Sequence, residues 1–105
     1  METISTKEIA PLAGEAKVEQ FIAIRDKYKG ETGSIQRIRL LEALRVGSVS
    51  TFEARRYLDI VHPAGRIQEL RDEGQEIDTL RIAEPSEVGR PHSIAVYILR
   101  KEAQQ

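Results

Sequence analysis

From Glu15 to Lys29, Val18, Phe21, Ile22 and Tyr28 recur at three- and four-residue steps, with polar residues between them. That period predicts a helix with one apolar stripe, to be buried on the body of the domain or on a second copy of the chain. Gly30 and Gly33 then break the pattern. Ser34 is a good N-cap for the next helix. Ile35, Ile38, Leu41 and Leu44 run at helical spacing and Leu40 and Val46 widen the face, while Gln36, Arg37, Arg39 and Glu42 fall largely outward. Gly47 supplies the stop. Ser50-Thr51-Phe52-Glu53 spells a capping box for a short helix, Thr51–Leu58, with Phe52, Ala54, Leu58 and Tyr57 as its inner contacts. Asp59–His62 reads as a turn, and Pro63 sits where the first turn of a helix accepts proline. In Pro63–Glu73, Ile67 and Leu70 point inward, and Gly74 ends the run.

After Gly74 the character changes to β-branched and apolar. Glu76–Ile82 and Ser93–Leu99 are strand candidates. Ala83–His92, with Pro85, Gly89 and Pro91, is a loop rather than a two-residue turn. Met1–Gly14 reads as a loose arm and Lys101–Gln105 as a polar tail. The expected fold is α+β, mostly α: a winged helix-turn-helix, with a three-helix core, a β-hairpin wing and an extra N-terminal helix. The expected organisation is an arm and amphipathic helix over 1–33, the winged domain over 34–100 and a tail over 101–105. The third helix of such a unit commonly lies in the major groove of DNA.

Composition narrows the class. The 105 residues suit a single globular domain with a small core. There is no cysteine, which excludes disulfides, thiolate zinc sites and cysteine nucleophiles and fits a reducing cytoplasm. No apolar run approaches the ~18 residues that span a bilayer, and the first residues lack the pattern of a secretory signal. The net charge of −1 does not by itself suggest nucleic acid. Its distribution does more: Ser34–Arg71 carries +3, all of its positive charge on arginine, between flanks of −1 and −3. Arginine's planar fork pairs well with phosphate and guanine.

A helical wheel on Pro63–Glu73 turns Gly65, Gln68, Glu69 and Asp72 outward, with His62 near the N-terminal end and Arg66 and Arg71 on the flanks. Gln68 is a sensible adenine reader, Arg66 can reach guanine or phosphate, and Glu69 can accept from cytosine. Gly65 lets the backbone approach closely, and the helix N-terminus favours phosphate. Against DNA stand the charges of Glu69 and Asp72, which equally solvate an exposed face or pair with arginines one turn away. Arg90 and His92 at the wing are candidates for the minor groove or backbone. Arg37, Arg55 and Arg56, with Ser48 and Thr51 near the start of the second helix, are candidate phosphate contacts.

These residues resemble a family of small helix-turn-helix proteins carried by bacteriophages and integrated elements. In that pattern a first helix ends near glycine and a serine- or threonine-led second helix contains Glu-Ala. A turn follows, then Ala/Gly-Arg-Ile-x-x-Leu-Arg-x-x-Gly and a strand beginning with isoleucine. Here that is Ser50-Thr51-Phe52-Glu53-Ala54, then Gly65-Arg66-Ile67-Gln68-Glu69-Leu70-Arg71-Asp72-Glu73-Gly74, then Ile77. The likeness covers roughly Ser34–Leu99 and leaves Met1–Gly33 outside. It implies a winged-helix fold and a role in DNA binding or in control of a mobile element. The glycine expected in the turn is replaced near Asp59, a residue type that tolerates left-handed backbone angles better than most.

Catalytic signals are thin. His62 and His92 are the only histidines, without metal-ligand spacing, and no phosphate-binding glycine loop is present. The expectation is a non-enzymatic, cofactor-free, metal-free regulator in the cytoplasm, whose partner is double-stranded DNA. One domain makes a small DNA footprint, so the expected form is a homodimer joined through the Glu15–Lys29 helix. The rival from another class is a protein-binding module of the same fold. An acidic outer face on the third helix and near-neutral total charge suit a host protein or polymerase component.

Overall fold

A computed structural model describes residues 14–84 and 92–103; the side chains of Glu84 and His92 fall outside the description. In chain order the elements are α1 (Gly14–Lys27), α2 (Gly33–Val46), β1 (Val49–Ser50), α3 (Thr51–Tyr57), α4 (Pro63–Asp72), β2 (Glu76–Glu84) and β3 (His92–Lys101). The described residues thus form four helices and a three-stranded antiparallel sheet of order β1-β3-β2. Residues 1–13 of the expected arm, residues 85–91 of the expected loop with Arg90, and the last two residues of the tail lie outside the described residues, and Gly14, expected to end the arm, opens α1.

The capping box opens α3 as its sequence requires. Glu53 N–H donates to Ser50 Oγ at 3.0 Å, and Ser50 N–H donates to Glu53 Oε1 at 2.9 Å. Pro63 is the first residue of α4, and the helix ends where the N–H groups of Gly74 and Gln75 donate back to Arg71 and Leu70 carbonyls. The cap of α2 differs from expectation. Thr32, not Ser34, holds extended angles and accepts from Ile35 N–H at 3.2 Å, which starts the helix earlier. A further strand, β1, was not evident in the sequence. Its two residues pair with β3, Val49 with Tyr97 and Ser50 with Val96.

The core gathers Phe21 from α1, Leu40, Ala43 and Leu44 from α2, Leu58 and Ile60 around the helix-turn-helix turn, and Ile67 and Leu70 from α4. Part of the α1 stripe packs on this domain: Phe21 is fully buried, while Val18, Ile22 and Tyr28 are only partly buried, and Ile24 packs against the core. Register divides the hairpin into two faces. Ile77, Ala95 and Tyr97 turn into the core, while the paired Leu80 and Val96, and Ile82 and Ile94, turn the other way.

Two expected orientations are reversed. Phe52, expected inside, is 56% exposed. Ala54 takes the inner position with Leu58 one turn later, and a residue two places before Ala54 lies about 200° round the helix. Arg39, expected outward, is 2% exposed, whereas Ile38 beside it is 43% exposed. The inner face of α2 runs through Arg39, Leu40, Ala43 and Leu44, because α2 is packed by both α1 and α4.

Arg39 Nη1 donates to the carbonyls of Tyr28 at 2.6 Å and Gly30 at 3.2 Å, and Nη2 donates to the carbonyl of Asp59 at 3.0 Å. One guanidinium therefore joins the end of α1, the α1–α2 connection and the turn between α3 and α4. Burial pulls its pKa below the ordinary value, the Asp59 carboxylate pushes it up, and Arg25 pulls it down. Asp59 itself has φ 55°, the left-handed angle that the turn demands. Aspartate at this point meets the backbone requirement and also supplies a countercharge to Arg39.

At the other end of α2, Arg45 donates to both carboxylate oxygens of Glu102, at 2.8 and 2.6 Å, tying the end of the hairpin to the helix. Hydrogen bonding from Arg45 holds the Glu102 carboxyl below the usual glutamate range, against a smaller opposing effect of desolvation.

Arg39→Met should cost about 3 kcal/mol in urea unfolding, because it removes three hydrogen bonds donated by a charged group that joins three backbone segments. Arg39→Lys should fall between the two; a Met variant within experimental error of the wild type would refute the role. Glu102 should titrate below the ordinary ~4.3 of glutamate. With a depressed folded value, its stabilising contribution is present above the unfolded pKa and disappears as pH falls through the folded one. Carboxyl NMR titration of Arg45→Gln should return Glu102 toward the ordinary value.

Candidate nucleic-acid interface

The outward side of α4 carries His62, Ala64, Gln68 and Asp72, all exposed. Gln68 Nε2 donates to Asp72 Oδ1 at 3.1 Å, one turn along. The charged flanks of the helix are engaged with the rest of the domain. Glu69 accepts from Arg37 Nη1 at 2.9 Å and lies 3.4 Å from Arg66 Nη2, and Glu73 lies 2.9 Å from Arg37 Nε. Arg71 donates from Nε and Nη2 to the Ile77 carbonyl, at 3.0 and 2.6 Å, and from Nη2 to Thr79 Oγ1 at 2.9 Å. Arg66 turns back across the first turn of α2. A Cβ on Gly33 would stand 2.5 Å from its Nη1, and its buried Nε has no partner among the described residues. Arg66 is thus directed away from the side that presents Gln68.

Gly65 has a local reason to lack a side chain. An added Cβ would stand 2.5 Å from Cδ2 of His62, whose ring occupies that space. The expected close approach of Gly65 to a ligand therefore competes with an occupant already there.

A second group forms where α3 meets the hairpin. Thr51, Phe52, Arg55 and Arg56 from α3 share one concavity with Arg81 of β2 and Ser93 of β3. Among the described residues Arg55, Arg56 and Arg81 make no ion pair. Arg55 Nε donates to the Val61 carbonyl at 3.3 Å. Arg56 lies 5.9 Å from the ring centroids of both Phe52 and Tyr57, which themselves meet edge to face. This pre-positions the guanidinium without neutralising it.

Residues 35–102 match the family model described as a winged helix-turn-helix domain. The chain belongs to the winged helix-turn-helix family. No curated protein and no solved structure matches it. In this winged helix-turn-helix domain α3 and α4 are the helix-turn-helix, α2 is the supporting helix, and β2 and β3 form the wing. Membership points to DNA binding in general.

The winged domain brings His62, Gly65, Arg66, Gln68 and Glu69 to α4, with Arg37 bonded alongside from α2. It brings Thr51, Arg55 and Arg56 together at a separate place. Ser48 stands apart: Lys17 Nζ donates to its hydroxyl at 3.4 Å and to Glu53 Oε1 at 3.2 Å, a stitch from α1 to the start of α3. His92 begins β3, and Arg90 lies outside the described residues. Ser93, the exposed Phe52 and Arg81 join this site with no signal in the sequence that marks them for it. Arg81 pairs with Ala95, and this register, invisible before the strands are aligned, carries it to the arginines of α3. Among the described residues no group of three or more His, Cys, Asp or Glu is arranged to hold a metal ion.

Gly65→Ala should stabilise the domain by about 0.5 kcal/mol in urea unfolding, since alanine is the better helix former and the exposed His62 ring can swing aside. The His62 ring proton shifts should move with it. A destabilised variant would show that the His62 ring cannot give way.

Proposed function

We propose that this winged helix-turn-helix protein binds double-stranded DNA sequence-specifically, as a cytoplasmic transcriptional regulator or control protein of a bacteriophage or integrated element. α4 enters the major groove, with Gln68 and His62 toward the bases. The observation that carries this reading is the division of the arginines. Those beside α4 are paired to its own carboxylates, which relieves the charge conflict between α4 and phosphate. Arg55, Arg56 and Arg81 are left for the DNA backbone, with the wing beyond them on the backbone or minor groove. Glu69, bonded to Arg37 and close to Arg66, acts in this reading as their counter-ion rather than as a base reader. Two copies on adjacent half-sites would extend the small footprint of one domain.

A second reading keeps one observation of its own. The exposed part of α4 and its C-cap carries Asp72 and Glu73, while Arg66 lies against Glu69 and Arg71 is bonded to the Ile77 carbonyl, which suits a protein partner without DNA affinity.

Fluorescence anisotropy with random duplexes and with fragments of the native genomic neighbourhood separates the two readings. A DNA binder making ~4–6 phosphate contacts should lose affinity steeply with salt. Arg56→Ala/Arg81→Ala should weaken all sequences alike and lower the salt slope by about 2. Gln68→Ala should instead erode the preference for one fragment. Glu69→Gln should raise affinity several-fold without changing preference; a change in preference would return Glu69 to base reading. No binding at low salt by a folded sample would overturn the proposal in favour of a protein partner.

A further inference from the structure

The hairpin face that turns away from the core is apolar and open. Leu80 is 48% and Ile82 45% exposed, and across the strand pair they meet Val96 and Ile94. Phe52, 56% exposed, continues this surface toward the helices. Beside it runs a groove of about 380 Å³, lined by Val18 of α1, Phe52 and Tyr57 of α3, and Ile82, Ile94 and Val96 of the hairpin. That is far larger than a packing defect. A contiguous apolar patch of this kind on a small domain marks a contact surface.

We propose that residues 1–13 of the chain itself cover this groove, seating apolar side chains from the stretch Ile9–Leu12 against Phe52, Ile82 and Ile94. Two observations and one physical argument favour this occupant. Gly14, the first described residue, is itself part of the groove lining, so the preceding chain departs from the rim. A tethered segment held at that point competes at high effective concentration against any second copy. Gly14 has φ +60°, an angle that lets the chain leave the line of α1 there and that other residue types adopt only with strain.

The composition of the segment fits the surface. Ile4, Ile9, Ala10, Pro11 and Leu12 are apolar, and Glu2, Lys7 and Glu8 can stay in solvent. Thirteen residues reach at most ~45 Å when extended, and Pro11 lacks the N–H that a buried chain must otherwise satisfy. The arm then belongs to the domain as a cover for the wing, and the recognition helix needs nothing from it.

The chain has no cysteine, so a spin label on a Thr6→Cys variant reports from one place only. Methyl NMR of the full-length labelled protein should show strong broadening of Leu80, Ile82, Ile94 and Val96, unchanged on dilution. Mixing isotope-labelled protein without the spin label into spin-labelled protein without isotope should show none. Broadening that persists in the mixture would assign the groove to a second copy and overturn the proposal, as would no broadening in either sample. Independently, Ile9→Asp/Leu12→Asp should raise binding of a hydrophobic dye several-fold with an unchanged circular dichroism spectrum. Unchanged dye binding would also overturn it.

Discussion

The helix-turn-helix depends on a buried arginine that reads like a surface residue. Arg39 projects from α2 into the junction of three backbone segments and donates to Tyr28, Gly30 and Asp59 carbonyls. Each of these carbonyls lies where helical hydrogen bonding has run out: at or beyond the end of α1, or in the turn after α3. Such groups need a donor, and the Arg39 guanidinium supplies it from within the protein at a junction that is only partly buried. The same guanidinium therefore ties the end of α1 and the turn before α4 to α2. Asp59, in left-handed geometry beside it, supplies a countercharge that glycine would not.

From that frame the arginines divide into two populations. Arg37, Arg45, Arg66 and Arg71 are bound to carboxylates or carbonyls and brace the domain: α2 to α4, α2 to the end of β3, and α4 to β2. Arg55, Arg56 and Arg81 form no ion pair among the described residues and gather at one concavity, with Arg55 held only by a 3.3 Å bond from Nε to the nearby Val61 carbonyl. The basic character of Ser34–Arg71 is thus mostly structural. What remains available to a polyanion sits between α3 and the wing rather than on α4. This division also explains how a helix carrying Glu69, Asp72 and Glu73 could face phosphate: Glu69 and Glu73 are shared with Arg37, and Asp72 accepts from Gln68.

Helix periods, the Ser50–Glu53 capping box, Pro63 at the start of α4 and the β-branched run after Gly74 were enough to read the order of elements and the winged architecture. These are local signals, set within one turn or one strand, and the family match over residues 35–102 agrees with them. Orientation about the helix axis was less legible. The periods of α2 allowed two adjacent faces, and packing by both α1 and α4 chose the one containing Arg39 over the one containing Ile38. Phe52 was misplaced for a related reason: α3 is too short for periodicity to fix its inner side, and Ala54 occupies the contact.

The sequence by itself determined the types and order of the helices and of the two hairpin strands, the capping box of α3 and the start and stop of α4, because those depend on neighbours a few positions away; the cap of α2 at Thr32 and the short strand β1 emerged only in the folded chain. Only the tertiary structure decided which charges are spent and which remain free. Arg66 and Arg81 look alike in the chain. One lies against Gly33 with Glu69 beside it, and the other is carried by strand register to Arg55 and Arg56. An ion pair depends on distances of a few ångströms between residues far apart in sequence, and Coulomb energy falls with that distance rather than with the number of residues between them.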